Sequence, residues 1–306
     1  MGKYVLKRFG LMIVTLWVVA TITFFLMHAL PGDPLTTDKG LTPEARANLE
    51  EKYGLNKPLI SQYGIYMNNL LHGDLGISLR YKTRTVNSML MNGLPASAKV
   101  GFLGSIIGIS IGIVMGIIAA LNNKKFLDYF VIFIVVLGVS VPGFVFASVY
   151  QYFFGVKLRV LPVAGWEGIK YMILPIASLA TFFIATFARF TKTSMLEIMG
   201  SDYIETAKSK GLSNTTVIFK HVLRNASIPI ITFLGPSLAT SVVGSFVIES
   251  IFGVPGIGQF FVTSVQQYDY TMILGTTLFT SALVIVGYFI SDMLYGVADP
   301  RIRIDK

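Results

Sequence analysis

Few residues in this chain are placed to do chemistry. Glu249 and Asp292 are carboxylates in or near long apolar runs. Such groups are costly in lipid, and one that gains and loses a proton could couple an ion to transport. A structural role is the alternative. Glu249 precedes "FGVPG" and can cap or brace that turn, while Asp292 can pair with a basic group or reach water. His28, His72 and His221 lie far apart, and there are no cysteines, so neither a metal cage nor a disulfide is expected. No G-x-x-x-x-G-K-[ST] or H-E-x-x-H motif occurs, and no Ser in the apolar runs has a plausible His base. The residues offer no catalytic constellation, and the chain is read as a non-enzyme.

The other unusual group is "YIETAKSKGLSN", residues 203–214, a charged stretch in a chain that is 53% hydrophobic. Leu196, Met199, Tyr203 and Ala207 fall on one helical face. Asp202 with Glu205 three residues on reads as a capping box. Lys208 and Lys210 sit in the last turn, and Gly211 ends the helix. Ser213 or Asn214 then caps a second helix, with Ile218, Val222 and Leu223 on one side. Helix, tight turn, helix is the expectation. Each part also has a plain reading: Glu205 as a cap, Gly211 as a turn, the lysines as lipid contacts.

The elements that position these residues are membrane helices. Only 13% of the 306 residues are charged and the mean hydropathy is +0.67, so an all-α integral membrane protein is expected. Six runs can cross a bilayer, near 9–30, 100–121, 129–154, 171–188, 229–251 and 272–297. The first follows Lys3, Lys7 and Arg8 but lacks an A-x-A cleavage site, so it is read as a retained helix. With the N-terminus inside, the inner segments hold 14 Lys and Arg against 3 in the short outer loops. Both termini are therefore expected to be cytoplasmic. The net charge of +9 fits those loops and anionic lipid, not nucleic acid.

Residues 31–96 are too polar to span and read as an external subdomain. In "LTPEARANLEEKYGL", Thr42 can cap a helix, Pro43 suits its first position, and Glu44 and Glu50 favour it. "HGDLGISL" is rich in turns. Residues 97–306 form the remaining core, with the inner loop at 189–228. Gly104, Gly108, Gly112 and Gly116 put a smooth strip on one face of the second span, where another backbone can approach closely. Pro142-Gly143, Pro175 and Pro236 are expected to kink their spans.

"ETAKSKG", followed by nine residues and "HVLRNASIP", resembles the EAA loop of ABC importer permeases. Glu205, Ala207, Gly211 and Leu223 match its signature. Thr206, His221 and Arg224 depart from it in the manner of the peptide-type branch. "LPGDP" at 30–34, "YGLNKPLISQY" at 53–63, "HGDLGISL" at 72–79, "VIESIFGVPGIGQ" at 247–259 and "YGVADPRIR" at 295–303 resemble the first permease subunit of dipeptide, oligopeptide, nickel and glutathione importers. "LTPEARANLEEKYGL" and "SLRYKTRTV" are most similar to the oligopeptide member. The resemblance implies a type I permease fold with six transmembrane helices in a bacterial cytoplasmic membrane.

It also implies partners: a second permease, two cytoplasmic ATPases that bind ATP and magnesium, and an extracytoplasmic binding protein that delivers peptide. Glu205, Ala207, Lys208, Lys210, Gly211 and Leu212 would then form the coupling segment that docks in an ATPase groove and moves as a rigid lever. No cofactor is implied in this chain. The rival readings are an ion-coupled carrier using Glu249 or Asp292, a purely structural membrane subunit, and an importer of the same family for dipeptide, nickel or glutathione.

Overall fold

The computed structural model describes residues 2–29, 44, 56–81 and 84–298. Apart from Glu44, the helix expected over 41–55 lies outside them. The described residues form helices and connecting turns, with one isolated bridge between Ile77 and Thr85.

Helix α1 (Gly2–Ala29) packs along the last helix, α12 (Tyr270–Ala298). Phe9 meets Phe289 edge-on, and Arg8 Nη1 lies 2.9 Å from Asp292 Oδ2. At its other end Phe24 is buried against Tyr63 and Tyr66 of α2 (Leu59–Leu71), and Thr21 Oγ1 shares a 2.7 Å hydrogen bond with the Tyr63 hydroxyl.

The second span starts earlier than its hydropathy suggests. Helix α3 runs Val86–Leu121, 36 residues, because Thr85 caps it by accepting from Ser88 N at 3.3 Å. At 1.5 Å per residue it is about 54 Å long, well beyond the bilayer's hydrocarbon. Its glycines lie against α6 (Ile169–Met199). A Cβ on Gly108 would stand 2.6 Å from the Ala180 carbonyl oxygen, and one on Gly112 2.7 Å from that of Ile184. Gly104 faces Leu179, and Gly116 faces Thr191 and Ala188. The small-residue strip is thus used within the chain.

The third span is not one rod, as the hydropathy of 129–154 had suggested. Helix α4 (Phe126–Ser140) ends at Val141-Pro142, and α5 (Gly143–Tyr150), continued by a π-helical turn to Lys157, leaves at 105°. Proline supplies no N–H at the break, which ends the helix instead of merely kinking it.

The fifth span also differs from the expected 229–251. Helix α9 covers Leu223–Ser241 with Pro229 and Pro236 inside it, and the chain turns at Gly244 before a separate short helix, α10 (Phe246–Phe252). Helix α11 (Gly258–Gln266) follows.

Candidate docking site

The polar stretch forms helix α7 (Asp202–Ser209) and a turn. Sequence pattern had placed Leu196, Met199, Tyr203 and Ala207 on one continuous face. Instead α6 ends at Met199, Gly200 and Ser201 break the chain, and the helical phase restarts. Ile204 and Ala207 become the buried pair, while Tyr203 is exposed. They pack on Ala120 of α3, Met195 of α6, and Val217, Val222 and Ala226 beyond the turn. Burying a side chain the size of Ile204 is worth roughly 1.5–3 kcal/mol, so α7 is held to the bundle by a small apolar bed.

The start of α7 differs from the expected capping box. Ser201 holds the N-cap position, and its hydroxyl donates to the Ile198 carbonyl at 2.6 Å. Asp202 lies inside the first turn with Glu205, where both carboxylates favour the positive end of the helix dipole.

The end is a Schellman turn. Gly211 N donates to the Lys208 carbonyl at 2.9 Å and Leu212 N to that of Ala207 at 3.4 Å. Gly211 has φ +78°, which glycine adopts freely. Ser213 then caps the next helix, α8 (Asn214–Thr216), by accepting from Thr216 N at 3.3 Å. A π-helical segment, Val217–Val222, joins α8 to α9 without a break. The wider turn buries Val217 and Val222 and leaves Ile218 and Leu223 half-buried.

Of the six candidate residues, Glu205, Lys208, Lys210, Gly211 and Leu212 are exposed together at the tip. Ala207 belongs to the bed beneath. The site is an exposed tip, charged and broken by glycine, on a buried apolar anchor.

The two intramembrane carboxylates take separate places. Asp292 faces Arg8, and the pair is about one-third to two-fifths exposed. Glu249, on α10, is buried, and its Oε2 accepts from Gly258 N at 2.8 Å. The surrounding turn comes so close that a Cβ on Gly244 would stand 2.1 Å from its other oxygen. Ser97 of α3 completes the arrangement, its hydroxyl accepting from Ile257 N at 2.8 Å. Glu249 and Ser97 together fix the "VPGIG" turn.

Two groupings were not legible in the sequence. Asp269 accepts from Leu79 N, Arg80 N and Met272 N, and from the Ser78 hydroxyl, so one carboxylate caps α12 and ties down residues 78–80. Asp128 pairs with Lys192 and accepts from Lys124 N at 2.9 Å. Arg189, one turn before Lys192, is exposed beside that pair. The long-range partners lie 64 to 191 residues apart, and no local pattern announces them.

Residues 112–304 match the family described as binding-protein-dependent transport system inner membrane component, and residues 1–96 match the N-terminal component of such systems. The chain belongs to this family. Among binding-protein-dependent permeases it is 44% identical to the dipeptide transport system permease protein DppB of Bacillus subtilis, over 100% of this chain and 99% of that protein. It is 42% identical to the oligopeptide transport system permease protein OppB of Haemophilus influenzae, over 99% of this chain and 100% of that one. The fold resembles that of the MetNI methionine ABC transporter in an inward-facing form, with TM-score 0.56, 19% identity, and coverage of 69% of this chain and 96% of that one. An amino acid ABC transporter matches with TM-score 0.52 and 17% identity, covering 70% and 94%. The protein is thus a multi-pass membrane permease with the ABC importer fold.

Proposed function

We propose that this permease is one membrane subunit of an ATP-driven importer that takes up peptides. The observation that carries the reading is the exposed tip at 205–212 on its buried bed, in a chain of this family. A charged tip has no use in lipid, but it suits a socket on a soluble protein. In this reading the tip docks on a cytoplasmic ATPase, which binds the ATP and magnesium, and this chain performs no chemistry. A second permease completes the pathway, and a binding protein delivers peptide to the opposite face. Both termini and the tip then lie in the cytoplasm, as the basic residues favour. Dipeptide and oligopeptide relatives match almost equally well, so the class is peptide and its preferred length is open to measurement.

The test is purification in mild detergent after crosslinking through cysteines at Lys210 and Leu212. Two ATPases and a second permease should co-purify, with the crosslinks reaching the ATPase. Recovery of this chain alone would sink the proposal.

A further inference from the structure

Helix α6 is covered on three sides. The glycine strip of α3 lies along one, α4 along the next through Gly138 against Ala185, and α9 along the third, where Phe190 stacks on Phe233 at 4.5 Å. The remaining face carries Phe182, Thr186, Arg189 and Thr193. It lies between α4 and α9. Phe182, Arg189 and Thr193 are exposed there, and Thr186 is half-buried.

Both flanking helices are broken ones, α4 at Val141-Pro142 and α9 after Ser241. Irregular backbone at membrane depth is tolerated where protein covers it or water reaches it. Ser140, at the break in α4, is exposed. It opens into a cleft of about 410 Å³ between α4 and α6, walled by Val135, Val136 and Val139 and reached by Arg189 and Thr193.

Charge singles out one residue in that cleft. Lys192 is neutralised by Asp128. Arg189 has no acidic partner among the described residues, and it lies ten residues before the end of α6, about 15 Å along the helix axis. In the proposed orientation Arg189 begins the inner loop, so it stands where the span meets the cytoplasmic side, and an unpaired cation there faces a wet cavity more cheaply than lipid.

We propose that this cleft is a wall of the substrate path and that Arg189 receives the C-terminal carboxylate of the passing peptide, an assignment that rests on the peptide-import reading above. The chemistry fits a carrier of varied sequences. Every linear peptide ends in a carboxylate, which a guanidinium binds through two parallel hydrogen bonds. The valine wall accepts side chains by contact alone and reads none of them.

The experiment uses the whole transporter in proteoliposomes with saturating binding protein. Uptake of a free-acid peptide is compared with uptake of its C-terminal amide. Wild type should favour the acid, and Arg189→Gln should cut the ratio of acid to amide uptake about tenfold. Arg189→Lys should recover part of the preference.

A second measurement does not depend on the Arg189 variant. The chain has no cysteine, so single cysteines at Val136 and Thr193 can be followed by mass in this subunit. Both should react with a water-soluble thiol reagent and be protected by transported peptide. Unreactive cysteines would place the cleft against lipid or the second permease and overturn the proposal. So would an Arg189→Gln transporter with the wild-type acid-to-amide ratio. A wild-type transporter that moves no peptide at all would instead remove the underlying reading, and this assignment with it.

Discussion

Arg8 Nη1 and Asp292 Oδ2 stand 2.9 Å apart, joining the first and last helices by an ion pair. Asp292 thereby has a basic partner, as its structural reading expects. Partly exposed pairs are worth about 0.2–1 kcal/mol. Asp292→Asn should therefore lower protein level slightly and leave accumulation of peptide intact. Uptake assays normalised to membrane content check this. Loss of accumulation by a well-expressed variant would revive ion coupling.

Glu249 receives the same test with a different partner. Its Oε2 accepts one backbone N–H, and the amide oxygen of glutamine can do so too. Glu249→Gln should keep concentrative uptake, resistant to a protonophore while ATP is clamped. Glu249→Ala leaves Gly258 N unpaired and buried, and should cost about 1–3 kcal/mol in thermal stability. Abolished uptake by a stable Glu249→Gln protein would count against the ATP-driven reading.

At Gly211 the backbone matters and the space does not. A Cβ there meets nothing within 4 Å, but φ is +78°. Valine is strongly disfavoured in that region, whereas asparagine tolerates it. Gly211→Val should abolish peptide uptake with the permease still in the membrane, and Gly211→Asn should retain most of it. Equal activity of the two would remove the turn from the docking argument.

The interior of the sequence stripe responds oppositely. Gly108→Leu or Gly112→Leu would drive a side chain into a carbonyl 2.6–2.7 Å from its own Cβ. Overpacking of this kind typically costs about 1–3 kcal/mol, and more where backbone must move. Both variants should show reduced membrane levels and a lower melting temperature in detergent. Wild-type thermal stability would show that α3 and α6 can separate freely.

Sidedness is checked with cysteines at His72 and Asn214, both exposed and at opposite ends of the bundle. An impermeant thiol reagent applied outside should label the first and spare the second. Labelling of both would overturn the proposed orientation.

What the sequence made legible was what hydropathy and local turns encode. Spans one, four and six lie near their expected centres, span two ends where expected though its helix begins at Val86, and Gly211 and Ser213 hold the turn positions their types favour. Hydropathy could not see where a helix stops within an apolar stretch. Pro142-Gly143 did signal a bend in span three, which the structure sharpens to a 105° break, whereas the turn at Gly244 lies among apolar residues and has no such signal. Helical periodicity failed across Gly200-Ser201, because two non-helical residues reset the phase and exchanged Tyr203 for Ile204 as the buried residue. The Asp128–Lys192 and Asp269 groupings depend on tertiary neighbours and had no local signal at all.

The π-helical segment at 217–222 sets an angular phase. A π turn holds an extra residue relative to an α turn, and here it lies between the exposed tip and the membrane helix α9. Wound instead as ordinary α-helix, the same six residues would rotate everything on one side by about 100° relative to the other. The tip would keep its shape and its cap, yet Ile204 and Ala207 would lose the bed formed by Val217 and Val222. The irregular turn thus keeps two helices in register that a perfect helix would leave out of step.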